Sequence, residues 1–175
     1  MTDPTQKHWY IAYTRSCQEK KLVDRLAAIG VESFIATQKE RRQWSDRIKI
    51  VDKIILQRHI FIHTDELRRT KLFNEVFGLV SFMSEGGPFN PVIVPDKQIN
   101  SFRAMLAQND TKVDFHVGHI APGDKVTITR GPFSGIEGEI VKVAEKKKFI
   151  VRLEGLGAAI ISIKEIELEK KEEKS

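Results

Sequence analysis

The chain has 175 residues, enough for one ordinary hydrophobic core or two small ones. An apolar fraction of 41% beside 30% charged residues excludes a disordered chain, and no apolar run approaches the roughly 20 residues of a membrane-spanning helix. The net charge of +5 is modest, the single Cys17 excludes an internal disulfide and a thiolate zinc site, and residues 1–8 carry no apolar export signal, so the chain reads as cytosolic.

Trp9 to Thr14 alternates bulky and smaller residues and predicts a strand. Ser16 and Glu19 have capping-box spacing. Behind them Leu22, Val23, Leu26 and Ile29 recur at helical spacing, with Gly30 just past the end. Glu32 to Thr37 predicts a second strand. Lys39 to Arg58 then holds seven Lys or Arg against three Asp or Glu, the whole basic surplus of the N-terminal half. Such a patch suits nucleic acid or an acidic protein face, or it is a solvated hairpin. Ile54 to His63 is β-rich, and Thr64, Asp65 and Glu66 open a helix with Leu67, Leu72 and Val76 on its apolar face. Leu79 to Met83 reads as a strand, and Pro95-Asp96 opens a helix carrying Ile99, Phe102 and Leu106. The order strand, helix, strand, strand, helix, strand, helix fits an α+β fold, a ferredoxin-like split β-α-β sandwich with one added helix.

Residues 111–121 show no sustained periodicity and read as a linker, although Val113, Phe115 and Val117 fit a short strand. From Gly123 onward β-branched runs at 125–129, 139–143, 149–153 and 159–163 alternate with glycines and charged turns, which predicts a small β-barrel. The domains expected are 7–110 and 122–169, followed by a charged tail at 170–175 that frays.

Catalytic signals are weak. His59 and His63 share a strand face, and His116 lies near His119, but none has a Cys, Asp or Glu at ligand spacing, so no metal and no cofactor is expected. Gly131 to Gly138 is glycine-rich without the Gly-Lys-Ser/Thr ending of a phosphate loop. The glycines suit tight corners, and Phe133 either anchors the barrel or meets a partner. The chain is read as a binding protein, not an enzyme.

Two segments carry a resemblance. Gly123 to Val143, a strand, a Gly-Pro-Phe turn, a glycine-bearing loop and a second strand, resembles the KOW motif, which implies an SH3-like barrel with a partner-binding loop of Gly131, Pro132, Phe133, Gly135 and Ile136. Trp9-Tyr10, Tyr13, Leu22, Leu26 and Gly30, then Gly78-Leu-Val-Ser-Phe82 and Pro91-Val-Ile-Val-Pro-Asp96, resemble the N-terminal domain of the NusG family. Arg42-Gln-Trp-Ser-Asp-Arg47 looks like the UpxY-type paralogues, operon-specific antiterminators of polysaccharide gene clusters.

The resemblance implies a monomeric transcription elongation or antitermination factor that binds the β′ clamp helices of RNA polymerase. Tyr13, Leu56, His59 and Phe61 match the clamp-binding positions. The family usually reads Phe-Pro-(small or polar)-Tyr where this chain has Leu56-Gln57-Arg58-His59, a smaller and more polar plug. Arg69, Thr70 and Lys71 fall where related paralogues touch the opposing gate loop. Arg15, Gln18, Lys21 and Arg25 match positions that face the non-template DNA strand in an operon-specific paralogue; the last three share a helical face that is otherwise a solvated one. The KOW barrel is expected to recruit a small-subunit ribosomal protein or a termination factor, and no membrane is implied. The alternative is a ribosome- or RNA-binding structural protein built on the KOW barrel.

Overall fold

A computed structural model describes residues 3–162 and 168–170. In chain order the elements are β1 (His8–Thr14), α1 (Glu19–Ala28), β2 (Glu32–Phe34), β3 (Thr37–Gln43), β4 (Ile48–Ile54), β5 (His59–Thr64), α2 (Glu66–Glu75) and β6 (Leu79–Phe82). They continue with β7 (Ile93–Val94), α3 (Asp96–Leu106), β8 (Asp114–Val117), β9 (Asp124–Ile128), β10 (Glu137–Val143), β11 (Lys146–Leu153), β12 (Gly157–Ser162) and β13 (Leu168–Lys170). Internal packing divides the chain into Met1–Thr37 with Leu56–Asp96, and Gln38–Ile55 with Lys97–Ser175. Among the described residues no helix is long and apolar enough to cross a membrane.

The first unit is an antiparallel sheet in the order β2-β5-β1-β6, with β7 also pairing β1. Strand side chains alternate between faces, so Tyr10 and Ala12 of β1 and Ile60 and Ile62 of β5 share one face. There they pack with Leu22 and Leu26 of α1 and with Leu72 and Val76, the i and i+4 positions at the end of α2. The opposite face carries an aromatic row. Phe34 stacks on Phe61 at 4.8 Å, Trp9 stacks on His63 at 4.8 Å, and Phe61 and Ile11 are fully buried.

Three expectations for this unit are corrected. The Ser16–Glu19 capping box does not form: Gln18 is the N-cap without a side-chain bond, because Cys17 turns left-handed at φ 59 and Glu19 is committed elsewhere. The second strand stops at Phe34, since Thr37 opens a separate hairpin of β3 with β4. Leu67 sits on the solvent side of α2, where its neighbour Glu66 is turned toward the sheet. The start of α2 is as expected, with the Asp65 carboxylate accepting the Arg68 N–H at 2.8 Å.

The second unit comprises the β3–β4 hairpin, α3 and an antiparallel meander in the order β13-β9-β10-β11-β12-β8. Gln38 ties three backbone groups together: its amide donates to the carbonyls of Gln108 and Thr111 at 2.7 and 2.6 Å, and its oxygen accepts the Val113 N–H at 3.1 Å. The α3 helix meets the meander through Phe102 against Phe115, an ion pair of Lys97 with Glu137, and the Gln98 side chain accepting the Glu154 N–H. Arg152 forks onto the Glu139 carboxylate at 2.8 and 2.9 Å and also donates to the Ile120 carbonyl, while Glu139 accepts the Gly123 N–H.

The glycines work as read. Gly131 and Gly135 have positive φ, and a Cβ on Gly138 would collide with the Ile150 carbonyl and the Phe149 ring. The β10–β11 turn is less usual, with Ala144 and Glu145 both left-handed at φ 47 and 64. Within the segment read as a linker, β8 pairs with β12. Apart from Lys170 in β13, the charged tail lies outside the described residues.

Candidate functional site

One end of the first sheet gathers three loops. After Tyr13 the pairing of β1 with β6 shifts register. The freed backbone is then held from both sides: Thr14 N–H donates to the Arg58 carbonyl at 2.9 Å and Arg15 N–H to the Gly78 carbonyl at 3.2 Å. Arg58, at the turn into β5, has a left-handed φ of 61. Its N–H is accepted at 2.9 Å by the buried Glu19 carboxylate. A buried acid from the first turn of α1 therefore fixes the loop that leads to His59.

Beside this loop Tyr13 and His59 face each other across the strands, ring centroids 4.9 Å apart and both half-buried. The His59 Nδ1–H donates to the Gln57 carbonyl at 2.7 Å, which aims the ring. Leu56 and Phe61, expected on the same surface, are instead buried, at 5% and 0% exposure. Phe61 lies in the aromatic row and offers no surface as placed.

On the other flank, Arg15, Gln18 and Arg25 converge on the turn between α2 and β6. The Arg25 guanidinium donates to the Phe77 carbonyl at 2.6 Å and lies 5.4 Å from the Phe77 ring centroid. Arg15 lies 5.0 Å from the same ring. Gly78 has a positive φ of 106, and a Cβ there would stand 3.3 Å from the Arg25 guanidinium. Lys21 is exposed one turn before Arg25 on α1. Phe77 itself is 63% exposed.

Arg69 is placed inside. It forks onto Glu66 at 2.8 and 2.5 Å, and its guanidinium lies over Tyr10 and Phe82. The Arg69 hydrogen bond holds the Glu66 carboxyl below its ordinary range, and burial pushes the Tyr10 hydroxyl up to about 12, so Tyr10 stays a donor to Glu66. Thr70 and Lys71 remain exposed.

In the second unit Phe133 and Ile136 are buried at 4% and 6% exposure, as an anchoring ring would be. Gly131, Pro132 and Gly135 stay exposed. The basic hairpin exposes Trp44, with Lys49 over its ring, and Ile48 and Ile50. Together with residues 107–112 it borders a cleft of about 700 Å³ that presents Lys39, Arg41 and Lys53 beside Glu40 and Asp110. Among the described residues no group of three or more His, Cys, Asp or Glu is arranged to hold a metal.

Residues 7–103 match the family model described as transcription termination factor nusG. The chain belongs to the NusG family. Residues 122–154 match the KOW motif, so this member carries both parts of a NusG-family transcription factor. A comparison with curated protein sequences gave no match. Among solved structures, the chain is similar to one titled domain interaction in Thermotoga maritima NusG, with 22% identity, 91% of this chain and 94% of that one covered, and a TM-score of 0.49. It is also similar to an MjSpt4:Spt5 complex, with 14% identity, coverage of 94% and 99%, and a TM-score of 0.24.

Within this NusG-family chain, the structure brings Tyr13 and His59 together, and Arg15, Gln18 and Arg25 together, at one end of one sheet. It separates Leu56, Phe61 and Arg69 from that surface. Sequence reasoning missed Glu19 as the brace of the Arg58 turn and Phe77 as a ring with two guanidiniums over it. Neither had a local signal: Glu19 reads as half of a capping box, and Phe77 falls outside the period of α2.

Proposed function

We propose that the protein is an elongation and antitermination factor whose N-terminal domain, 7–110, holds the β′ clamp helices of RNA polymerase. The observation that carries this reading is the half-exposed Tyr13–His59 pair at the positions where the family resemblance expects the clamp contact. The exposed Thr70 and Lys71 would meet the opposite side of the cleft, and Arg15, Gln18, Lys21 and Arg25 the non-template strand. Closing the clamp favours the elongating state only as far as the factor binds that state better, and about 1.4 kcal/mol of such preference shifts a pause equilibrium tenfold.

The KOW domain, 122–169, would recruit a small-subunit ribosomal protein or a termination factor through the exposed Pro132 turn, with 111–121 as the joint. The Arg42 to Arg47 motif supports an operon-specific role at polysaccharide gene clusters. The sheet order of the first unit supports the ferredoxin-like description, and the six-stranded meander the SH3-like one. The test is retention of core polymerase by the immobilised full chain. Tyr13→Ala should weaken it by roughly tenfold, the loss expected when one aromatic anchor is truncated; retention equal to that of the unsubstituted chain would overturn the clamp reading.

A further inference from the structure

Two strands pairing only with each other are marginal in water, and β3 and β4 form a two-stranded sheet of their own. Every position from Arg41 to Ile50 is exposed, and Trp44, Ile48 and Ile50 are each more than half open to solvent. These ten residues hold Arg41, Arg42, Arg47 and Lys49 against one acid, Asp46. Where the cations point is informative. Side chains alternate along a strand, so Arg41 and Arg42 stand on opposite faces of the ribbon. Glu40 reaches Arg42 at 3.4 Å and Lys53 at 4.0 Å, which puts Lys53, and with it Lys49, on the Arg42 face. Lys49 also lies 5.6 Å from the centroid of the Trp44 ring, at the turn. The free end of the ribbon therefore carries cations on both faces. An acidic protein surface would need them on one face only, whereas a groove of duplex nucleic acid has a phosphate wall on either side of what enters it. The major groove of B-DNA is about 12 Å wide, and a sheet with its side chains is about 10 Å thick. The minor groove, about 6 Å wide, and the deep, narrow major groove of an RNA duplex are too tight.

We propose that the β3–β4 hairpin binds double-stranded DNA by entering the major groove turn-first. At a depth of about 8.5 Å and about 3.3 Å per residue, two or three residues of each strand enter. Arg41 then stands at the phosphates of one strand, and Arg42 and Lys49 at those of the other. The turn, Trp44 to Arg47, meets the base edges, where an arginine donates to guanine and an acid such as Asp46 accepts from cytosine. No residue of the clamp or non-template-strand readings takes part, so this duplex contact goes beyond them and its failure leaves them as they are.

The experiment uses the full chain and a short fluorescein-labelled DNA duplex, with affinity followed by anisotropy from low to moderate salt. The single strand and the RNA duplex of the same sequence are measured beside it. Arg41→Gln and Lys49→Gln, on opposite faces, should each lower the slope of log K against log salt by about 0.9, one phosphate's share on B-DNA. Both side chains are exposed, so the thermal midpoint should stay in place. Duplex should change the indole emission, and Trp44→Phe, which leaves only the buried Trp9, should abolish that change. A duplex whose major groove is filled by glucosylated hydroxymethylcytosine should lose binding. Unchanged slopes in both variants, or no binding to duplex at all, would take the ribbon off the DNA. A slope reduced in one variant alone would mean that one face touches phosphate, and full binding of the filled duplex would mean that the groove is not entered; either overturns the proposal. Tighter binding of the RNA duplex or the single strand than of the DNA duplex would overturn it as well.

Discussion

At the scale of single residues, Glu19 carries the most for its size. It is 4% exposed, and the bond it makes to Arg58 N–H holds a residue whose left-handed backbone costs roughly 1–2 kcal/mol. Glu19→Ala should therefore destabilise the chain by about 1.5–3 kcal/mol in urea titrations, the usual worth of a hydrogen bond to a charged group. It should also weaken polymerase retention by loosening the turn before His59, and Glu19→Gln, which keeps an acceptor oxygen, should recover most of both. An unchanged urea midpoint in Glu19→Ala would sink this account. Phe133 makes a contrasting prediction. Truncating a buried ring costs about 3–5 kcal/mol, so Phe133→Ala should lower the thermal midpoint sharply, while Pro132→Ala, on the exposed turn, should leave it in place. Acidity adds a third. Hydrogen bonds from Arg69 and Arg152 hold Glu66 and Glu139 below the ordinary carboxylate range. A group with a depressed folded pKa stabilises above its unfolded value, about 4.3 for Glu, and that stability is lost as pH falls through the lower folded value. Stability should thus be flat in this respect near neutrality and drop on the acid side. Glu139→Gln should make the acid drop shallower, and an identical acid profile in the variant would contradict the assignment.

At the scale of elements, most of the fold could be read from spacing. The period-2 run of β1, the Leu22–Leu26 stripe of α1, the Asp65 cap of α2 and the Ile99–Phe102–Leu106 stripe of α3 all stand where local chemistry put them. What spacing could not provide were contacts between distant segments. Arg25 meets Phe77 52 residues along the chain, and Gln38 meets Val113 75 residues along. The same limit applied to Leu56 and Phe61, whose apolar character suits a partner surface and a core equally well. The β3–β4 hairpin reads from sequence as a basic patch or a solvated hairpin, and every position from Arg41 to Ile50 is exposed. Gln38 supplies the prediction at this scale. Its three bonds fasten residues 108–113, so Gln38→Ala should leave Gln108, Thr111 and Val113 without that partner and speed proteolytic cutting between 109 and 121. Equal cutting rates, measured by mass spectrometry of early fragments, would show that the segment is held by something else.

At the scale of the whole molecule, the two compact units do not coincide with the two family-model matches. The match to the NusG model ends at 103 and the KOW match begins at 122, whereas the second unit takes in residues 38–55 and everything from Lys97 onward. Of the ties of α3 to the meander, Lys97 with Glu137 and Gln98 with Glu154 reach from one match into the other, and Phe102 with Phe115 reaches into the segment between them. This bears on how such chains can be recombined. A hybrid joined to a paralogue just after residue 111 takes Gln38 and α3 from one parent and Val113, Phe115, Glu137 and Glu154 from the other, mismatching four contacts at once. One that exchanges 38–55 together with 97–175 keeps every one of those contacts within a single parent. The second kind of hybrid should melt in one sharp transition near its parents and the first at a lower temperature. Gene shuffling between paralogues is then constrained by three crossover points, at 37, 55 and 96, and not by the single linker that the sequence suggests.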